Sequence, residues 1–156
     1  MQNESTRDKL LDAWLNLTST LWNTRIVSSM TFNECHILGI LLRRSKDAVP
    51  QTATDLIART HLLKSQMNKV LTTLESKGYI TRSRAAKDKR LMYIRLTEEG
   101  QSAYLFEHAR INAFLDKIIN RVGETRAGTV ADELNAIIDV LGELMPGQTA
   151  DECTQI

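Results

Sequence analysis

Residues 64–97 have the sequence KSQMNKVLTTLESKGYITRSRAAKDKRLMYIRLT, in which a helical hydrophobic pattern changes to an extended one. Its first part, residues 64–77, predicts a helix, because its apolar residues recur at three- and four-residue spacings and leave a polar, basic face exposed. Gly78 supplies the left-handed conformation that ends many helices. Two short apolar segments around a charged turn follow, and they predict a β-hairpin. The apolar face of the helix consists of Met67, Val70, Leu71 and Leu74.

The charges of the chain are distributed unevenly around this stretch. Residues 59–95 carry ten basic and two acidic side chains, whereas residues 1–58 are neutral overall and residues 97–156 carry eleven acidic and four basic ones. Such a basic block is typical of a nucleic-acid surface, because neutralising phosphates supplies most non-specific affinity. A solvated charged face is the alternative interpretation.

Three helices are predicted before the basic helix. The first lies within residues 1–28, where leucines and tryptophans form a broad apolar stripe. The second runs to about Arg44, and the third is short and covers residues 53–60. Two pairs with capping-box spacing predict the starts of the second and third helices: Thr31 with Glu34, and Thr52 with Asp55.

Two long helices are predicted after the hairpin, with Gly123 between them. They and the first helix carry more apolar residues than one small core can use, which predicts a partner chain. We expect a homodimer whose dimerisation region consists of residues 1–28 and 98–145. Residues 29–97 would form the DNA-binding region, and residues 146–156 a flexible tail.

The composition is that of a folded protein of ordinary domain size. The chain has 156 residues, of which 42% are hydrophobic and 25% charged, and its apolar runs are far shorter than the roughly 20 residues that cross a bilayer. The charged N-terminus does not resemble a signal peptide. We therefore expect a cytoplasmic protein with no membrane partner, in which Cys35 and Cys153 are reduced.

Three segments carry a family resemblance. Residues 88–100, DKRLMYIRLTEEG, resemble the wing signature of the MarR family of bacterial transcription regulators. Residues 30–38 resemble the start of that family's second helix, and residues 74–82, LESKGYITR, resemble the end of its recognition helix. The resemblance covers roughly residues 30–100. It implies a mostly α fold, a winged helix-turn-helix with a small β-hairpin wing, flanked by N- and C-terminal dimerisation helices.

The resemblance also implies a function. Members of the family are typically homodimers that bind pseudo-palindromic operators in double-stranded DNA. We expect a repressor rather than an activator, released from its operator by an effector that the sequence does not identify; in the family this is often a small molecule, a metal ion or an oxidant. One position departs from the family: Leu63 stands where a small polar capping residue is common, so the first amides of the basic helix need another acceptor.

The residues that would read DNA lie on the exposed face of the basic helix, because a helix in the major groove presents its N-terminal half to base edges. Gln66 and Asn68 suit adenine, and Lys69 suits guanine or phosphate. Thr52 and Thr54 are candidate phosphate ligands, although helix capping explains them equally well. The candidates on the basic helix are Lys64, Ser65, Gln66, Asn68, Lys69 and Thr72.

The hairpin tip supplies the second group of candidates. The resemblance implies that Arg90 enters the minor groove, and we expect Asp88 to hold its guanidinium in a bidentate pair. Arg84, Lys87 and Lys89 would flank the DNA backbone, and for Arg82 phosphate contact and solvation are equally plausible. The alternative is an ordinary charged hairpin tip that keeps a strand edge soluble.

Other functions find less support in the sequence. In the family the stripe that contains Cys35 adjoins the effector cavity, so its thiol could sense an oxidant or a metal, but a small buried side chain is the preferred interpretation. Neighbouring residues such as Glu34, Cys35 and His36 point in different directions from a helix, so no metal or other cofactor is expected, even with His61, His108 and Glu107 counted.

Two further classes remain as alternatives. No nucleophile elbow, phosphate-binding glycine loop or spaced ligand motif is present, so we expect no enzyme. A helical interaction module without DNA would explain the apolar outer helices but not the basic block.

Overall fold

The computed structural model describes residues 5–23, 26–86 and 88–144. In these ranges the chain forms six helices and three short strands, so the mostly α fold class is confirmed. The elements are α1 (Thr6–Asn23), α2 (Phe32–Arg43), β1 (Gln51–Thr52), α3 (Ala53–Thr60), α4 (Lys64–Ser76), β2 (Ile80–Arg84), β3 (Met92–Leu96), α5 (Glu98–Val122) and α6 (Glu124–Leu144).

The two predicted capping boxes are present. The Thr31 hydroxyl accepts a hydrogen bond from the Glu34 amide at 3.2 Å, and the Glu34 carboxylate accepts one from the Thr31 amide at 2.6 Å. Thr52 and Asp55 repeat the arrangement at the start of α3. Each pair satisfies amides that the first turn of a helix leaves without a partner, which fixes where α2 and α3 begin.

The sheet has three strands rather than the two of the predicted hairpin. β2 and β3 pair antiparallel, with Ile80 opposite Leu96. β1 pairs with the other edge of β3, with Gln51 opposite Ile94, and gives the order β1-β3-β2. A two-residue strand has no measurable hydrophobic period, so the sequence could not indicate β1.

One hydrophobic core joins α2, α3, α4, the sheet and the first half of α5. α2 lies at its centre and packs against α3, α4, α5 and β3. Tyr104 of α5 belongs to this core, and its ring lies close to Gly39, where an added Cβ would come within 3.0 Å of the ring. The fully buried side chains include Ile37, Leu38, Leu56, Met67, Leu71, Leu74, Ile80 and Ile94.

A tight junction connects the end of α4 to the start of α5. Gly78 has φ +73°, as a helix-ending glycine requires. The Thr97 hydroxyl donates to the Gly78 carbonyl at 2.7 Å and accepts from the Gly100 amide at 3.0 Å. An added Cβ at Gly100 would lie 2.1 Å from the Tyr79 carbonyl oxygen. The Leu-Thr-x-x-Gly pattern of the wing signature therefore fixes α5 against the end of α4.

The outer helices leave large apolar side chains exposed. None of the residues of α6 is buried, and Leu134 and Ile138 are 44% and 53% exposed. In α1 the leucines from Leu10 to Leu21 and Trp14 are similarly exposed. None of the described helices is long and apolar enough to cross a membrane. The predicted tail, residues 146–156, lies outside the described residues.

Candidate nucleic-acid interface

The exposed face of α4 carries every base-reading candidate of that helix. Met67, Leu71 and Leu74 are buried in the core, so the opposite side of the helix faces solvent. All six candidate readers are exposed: Lys64, Ser65, Gln66, Asn68, Lys69 and Thr72. α4 is thus a helix with one buried face and one polar, basic face that is available to a partner.

At the start of α4, the side chain of Gln66, a predicted base reader, bonds to the backbone. Leu63 offers no side-chain acceptor, but its backbone amide donates to Oε1 of Gln66 at 3.0 Å. This bond pairs the amide of the N-cap residue itself and not the amides farther into the first turn, from which a polar N-cap side chain would accept. Gln66 therefore has a structural task at the helix start, and Asn68 is the better residue with which to test base reading.

The turn before α4 contains a backbone conformation that is unusual for its residue. His61 follows α3 with φ 55° and ψ 19°, in the left-handed region, and its amide donates to the Ile57 carbonyl at 2.8 Å. Glycine adopts this region without steric cost. His61 thus provides the sharp turn that sets the angle between α3 and α4.

The hairpin tip presents basic side chains, although one predicted contact is wrong. Arg84, Lys89 and Arg90 are exposed. Oδ1 of Asp88 accepts a hydrogen bond from the Arg90 backbone amide at 2.9 Å, and no ion pair joins Asp88 to the Arg90 guanidinium in the described ranges. Aspartate commonly bonds to the backbone two residues on, which shapes the turn. Lys87 lies outside the described residues.

Arg82 forms an ion pair that links the wing to the recognition helix. Its Nε donates to Oε2 of Glu75 at 2.8 Å, and its terminal nitrogen bonds the same oxygen. The side-chain hydrogen bond from Arg82 lowers the pKa of the Glu75 carboxyl. The ion pair holds β2 against the end of α4. It also partly neutralises the charge of Arg82, which is therefore less available to a phosphate than the charge of Arg84.

At the start of α3, Thr52 is engaged in capping. Its hydroxyl donates to Oδ2 of Asp55 at 2.7 Å and accepts from the Asp55 amide at 3.3 Å. A phosphate at this position would have to compete with the Asp55 carboxylate. Thr54, the second residue of α3, is exposed.

A buried carboxylate, Glu107, organises hydrogen bonds behind the candidate interface, which was not predicted from the sequence. Glu107 of α5 is fully buried and accepts hydrogen bonds from the amides and hydroxyls of Ser28 and Ser29, at 2.7–3.2 Å. Burial alone would raise its pKa, but the hydrogen bonds from Ser29 and Ser28 lower it to about 2. The signal in the sequence was a glutamate within the apolar stripe of α5, three residues after Tyr104.

Cys35 lies in the hydrophobic core, which agrees with its interpretation as a small buried side chain. It is 5% exposed, and burial and the negative charge of Glu107 raise the pKa of its thiol. A thiol with a raised pKa is a poor nucleophile toward oxidants at neutral pH. In the described residues no group of three or more His, Cys, Asp or Glu side chains is placed to hold a metal ion. Cys153 lies outside them.

A basic cavity of about 590 Å³ opens between α2 and α3. It is lined by His36, Ile40, Arg43, Arg44 and Arg59. Burial, and then the positive charge of Arg43, lower the pKa of His36. Cys35 is not among the lining residues, so the cavity is separate from the apolar stripe that the sequence singled out.

This arrangement, a helix with an exposed basic face followed by a β-hairpin that pairs with a third, earlier strand, defines a winged helix-turn-helix protein. Residues 28–91 match the sequence model of the MarR family. The winged-helix segment of the chain is therefore similar to that of the MarR family. The family resemblance, which the sequence indicated over roughly residues 30–100, is thereby confirmed up to residue 91.

Solved structures share the fold over most of the chain. The PcaV transcriptional regulator from Streptomyces coelicolor, in complex with its natural ligand, is 19% identical, with a TM-score of 0.72 over 89% of this chain and 96% of that one. The transcriptional regulator PA4135 is 25% identical, with a TM-score of 0.67 over 87% and 97%.

A third similar structure contains DNA. It is a variant of S. aureus MepR bound to an oligodeoxyribonucleotide, 18% identical, with a TM-score of 0.55 over 85% of this chain and 96% of that one. At such identities the likeness supports the fold alone. None of the curated proteins matches the chain.

Proposed function

We propose that this protein is a transcriptional repressor that binds a pseudo-palindromic operator as a homodimer. The observation that carries the proposal is the combination of two exposed surfaces on one winged helix: the polar, basic face of α4, and a wing tip with Arg84, Lys89 and Arg90. A helix of this kind fits the major groove, and an arginine at a hairpin tip fits the minor groove. The DNA-bound MepR variant supports DNA as the partner.

The candidate residues divide into two roles. We assign base reading to α4, chiefly to Asn68 and Lys69, and backbone or minor-groove contact to the wing and to Thr54. The remaining predicted contacts, including those of Thr52, Arg82 and Lys87, stay predictions. Binding rather than catalysis is the proposed activity, and a cytoplasmic location likewise remains a prediction from the sequence.

Two substitutions separate these roles. Arg90→Ala should weaken binding to cognate and scrambled duplexes alike and make the salt dependence shallower, because it removes a contact that does not depend on base identity. Asn68→Ala should cost about 1–3 kcal/mol on the cognate duplex and little on the scrambled one. Fluorescence anisotropy across a salt series measures both.

The proposal fails in two ways. If Arg90→Ala keeps wild-type affinity, the wing does not touch DNA. If Asn68→Ala loses cognate and scrambled binding equally, the exposed face of α4 holds the DNA backbone and does not read sequence. Asn135→Ala, the same substitution at an exposed position of α6, is the matched control for the loss of one polar side chain.

We also propose that a small molecule releases the protein from DNA. The support is the cavity between α2 and α3, whose titratable lining residues are all basic and would attract an anion. PcaV, a regulator with this fold, was crystallised with its natural ligand. An anionic effector should lower the DNA affinity of the wild type but not that of Arg43→Gln. If a panel of carboxylates and phosphates leaves the wild type unaffected, this part of the proposal is wrong.

Oxidation at Cys35 is the alternative route to release. Its burial and raised pKa count against it, so peroxide should act equally on the DNA binding of wild type and Cys35→Ser. Release of the wild type alone would favour the redox route.

A further inference from the structure

Hydrogen bonds join the end of the recognition helix α4 to the start of α2. Lys77, the C-cap residue that follows α4, donates from Nζ to the Ser29 carbonyl at 3.2 Å and to both oxygens of Glu34 at 3.1 Å. Glu34 is 3% exposed and also caps α2 through the Thr31 amide. A buried carboxylate that is paired in this way holds the lysine in one position.

Ser29 continues the connection to α5. Its carbonyl accepts from Lys77, while its amide and hydroxyl donate to Oε1 of Glu107 at 2.8 and 2.7 Å. Ser28 donates to the same carboxylate from its own amide and hydroxyl. The hydrogen-bonded path from α4 to α5 thus runs through one backbone segment, residues 28–29, which bonds to Lys77 on one side and to Glu107 on the other.

This path connects the DNA-reading part of the chain to the proposed dimer region. Glu107 lies near the middle of α5, and beyond it the helix carries the exposed apolar residues Leu115, Ile118 and Val122. Hydrophobic packing between α2 and α5 holds the two regions together but is non-directional. Hydrogen bonds are directional, so they determine the orientation in which the regions are held.

We propose that Glu107 is a positioning residue for DNA recognition. By holding residues 28–29 it fixes the end of α4 relative to α5, and so sets the separation of the two recognition helices in the dimer. The inference rests on the proposed function, because it requires operator binding by a dimer.

The substitution Glu107→Gln tests the proposal through the sign of its effect. It removes a negative charge, so a purely electrostatic account expects DNA binding to tighten slightly. If Glu107 is a positioning residue, the opposite is expected, and affinity for the selected operator falls about tenfold. The reason is that the four donors on Ser28 and Ser29 lose a charged acceptor, so residues 28–29 are held less firmly. Glu98→Gln is the matched control, since Glu98 is an exposed carboxylate on the same helix and its loss changes the charge equally.

A second readout separates positioning from mere stability. Binding is measured below the melting transition of each variant, on the operator and on duplexes whose half-sites are one base pair closer or farther apart. The wild type should reject the altered spacings, and Glu107→Gln should reject them less. A variant that is only less stable would keep the wild-type preference among the spacings.

Ser29→Ala serves as a milder variant if Glu107→Gln does not fold. It keeps the backbone amide bond and removes only the hydroxyl donor, so it should lower operator affinity about threefold and relax the spacing preference in the same direction. Unchanged affinity and spacing preference in the folded variants would overturn the inference while leaving the proposed function intact. Failure of the wild type to select any DNA would overturn both.

Discussion

At the scale of single residues, the buried carboxylate of Glu107 links the stability of the fold to pH. Its folded pKa of about 2 lies well below the ordinary value of 4.5. A carboxyl group whose pKa is depressed by folding stabilises the protein above its unfolded pKa, and this stabilisation disappears as the pH falls toward the folded pKa. The contribution of Glu107 should therefore be complete at neutral pH and decline between about pH 4.5 and pH 2.

We predict that Glu107→Gln lowers the free energy of unfolding most at neutral pH. The difference from the wild type should shrink as the pH is lowered from about 5 to about 2.5, because other carboxyl groups titrate equally in both proteins. Urea unfolding monitored by circular dichroism at several pH values measures this. A difference that stays constant with pH would show that the hydrogen bonds do not depend on the charge of Glu107.

His61, whose backbone is in the left-handed region, gives a substitution that is expected to raise stability, whereas Glu107→Gln is expected to lower it. His61→Gly should raise the free energy of unfolding by up to about 1 kcal/mol, because the strain of a side chain at φ 55° outweighs the extra freedom of an unfolded glycine. His61→Ala keeps a Cβ and should bring no such gain. Thermal unfolding of the three proteins would refute the idea if the glycine variant melted below the wild type.

Local patterns predicted the residues whose partners are close in sequence. The capping pairs Thr31–Glu34 and Thr52–Asp55 are three residues apart, and both formed as expected. The prediction that Asp88 pairs with the Arg90 guanidinium was wrong, because the backbone amide of Arg90 is a nearer donor to the Asp88 carboxylate. The contact between Glu107 and Ser28 spans 79 residues, a separation at which no local pattern carries information.

At the scale of elements, the recognition helix and the wing behave as one unit. The Glu75–Arg82 ion pair joins α4 to β2, and the Thr97 hydroxyl joins the end of α4 to the start of α5. The order of the helices and the hairpin followed from periodicity and from glycine positions. The third strand and the close approach at Gly100 did not, because both depend on segments that meet only in the folded chain.

We predict that Gly100→Ala destabilises the protein by about 3 kcal/mol or more, because the new Cβ would meet the Tyr79 backbone and neither α5 nor the wing can easily give way. Gly128→Ala in α6 is the control. There an added Cβ meets nothing within 4 Å, so helix propensity should make that change neutral or stabilising by up to about 1 kcal/mol. Equal effects at the two positions in denaturant unfolding would refute the junction described here.

At the scale of the whole molecule, the exposed apolar faces of α1, α5 and α6 form the surface proposed for the dimer. Several leucines, isoleucines and valines there are about half exposed, and Phe106 of α5 is 59% exposed. Monomeric proteins rarely expose so many large apolar side chains together. The sequence indicated this surplus directly, since the stripes of these helices are broader than one small core needs.

We predict that Leu134→Glu combined with Ile138→Glu yields a folded monomer, because a charge in a buried apolar interface is costly. Light scattering should give twice the chain mass for the wild type and one chain mass for the variant. Asn135→Glu adds charge beside the apolar stripe and should leave the dimer intact. A double variant that remains dimeric would place the interface elsewhere.

The most direct test of operator binding by a dimer is selection of DNA from a random-sequence pool by the full-length protein, followed by sequencing of the bound fraction. The account predicts enrichment of an inverted repeat whose half-site centres lie about one helical turn of DNA, roughly 10 base pairs, or a multiple of it apart. An Asn68→Ala variant should relax the preference at one position in each half-site. Recovery of no enriched motif, or of a single unrepeated half-site, would contradict a dimer that reads its operator through two copies of α4.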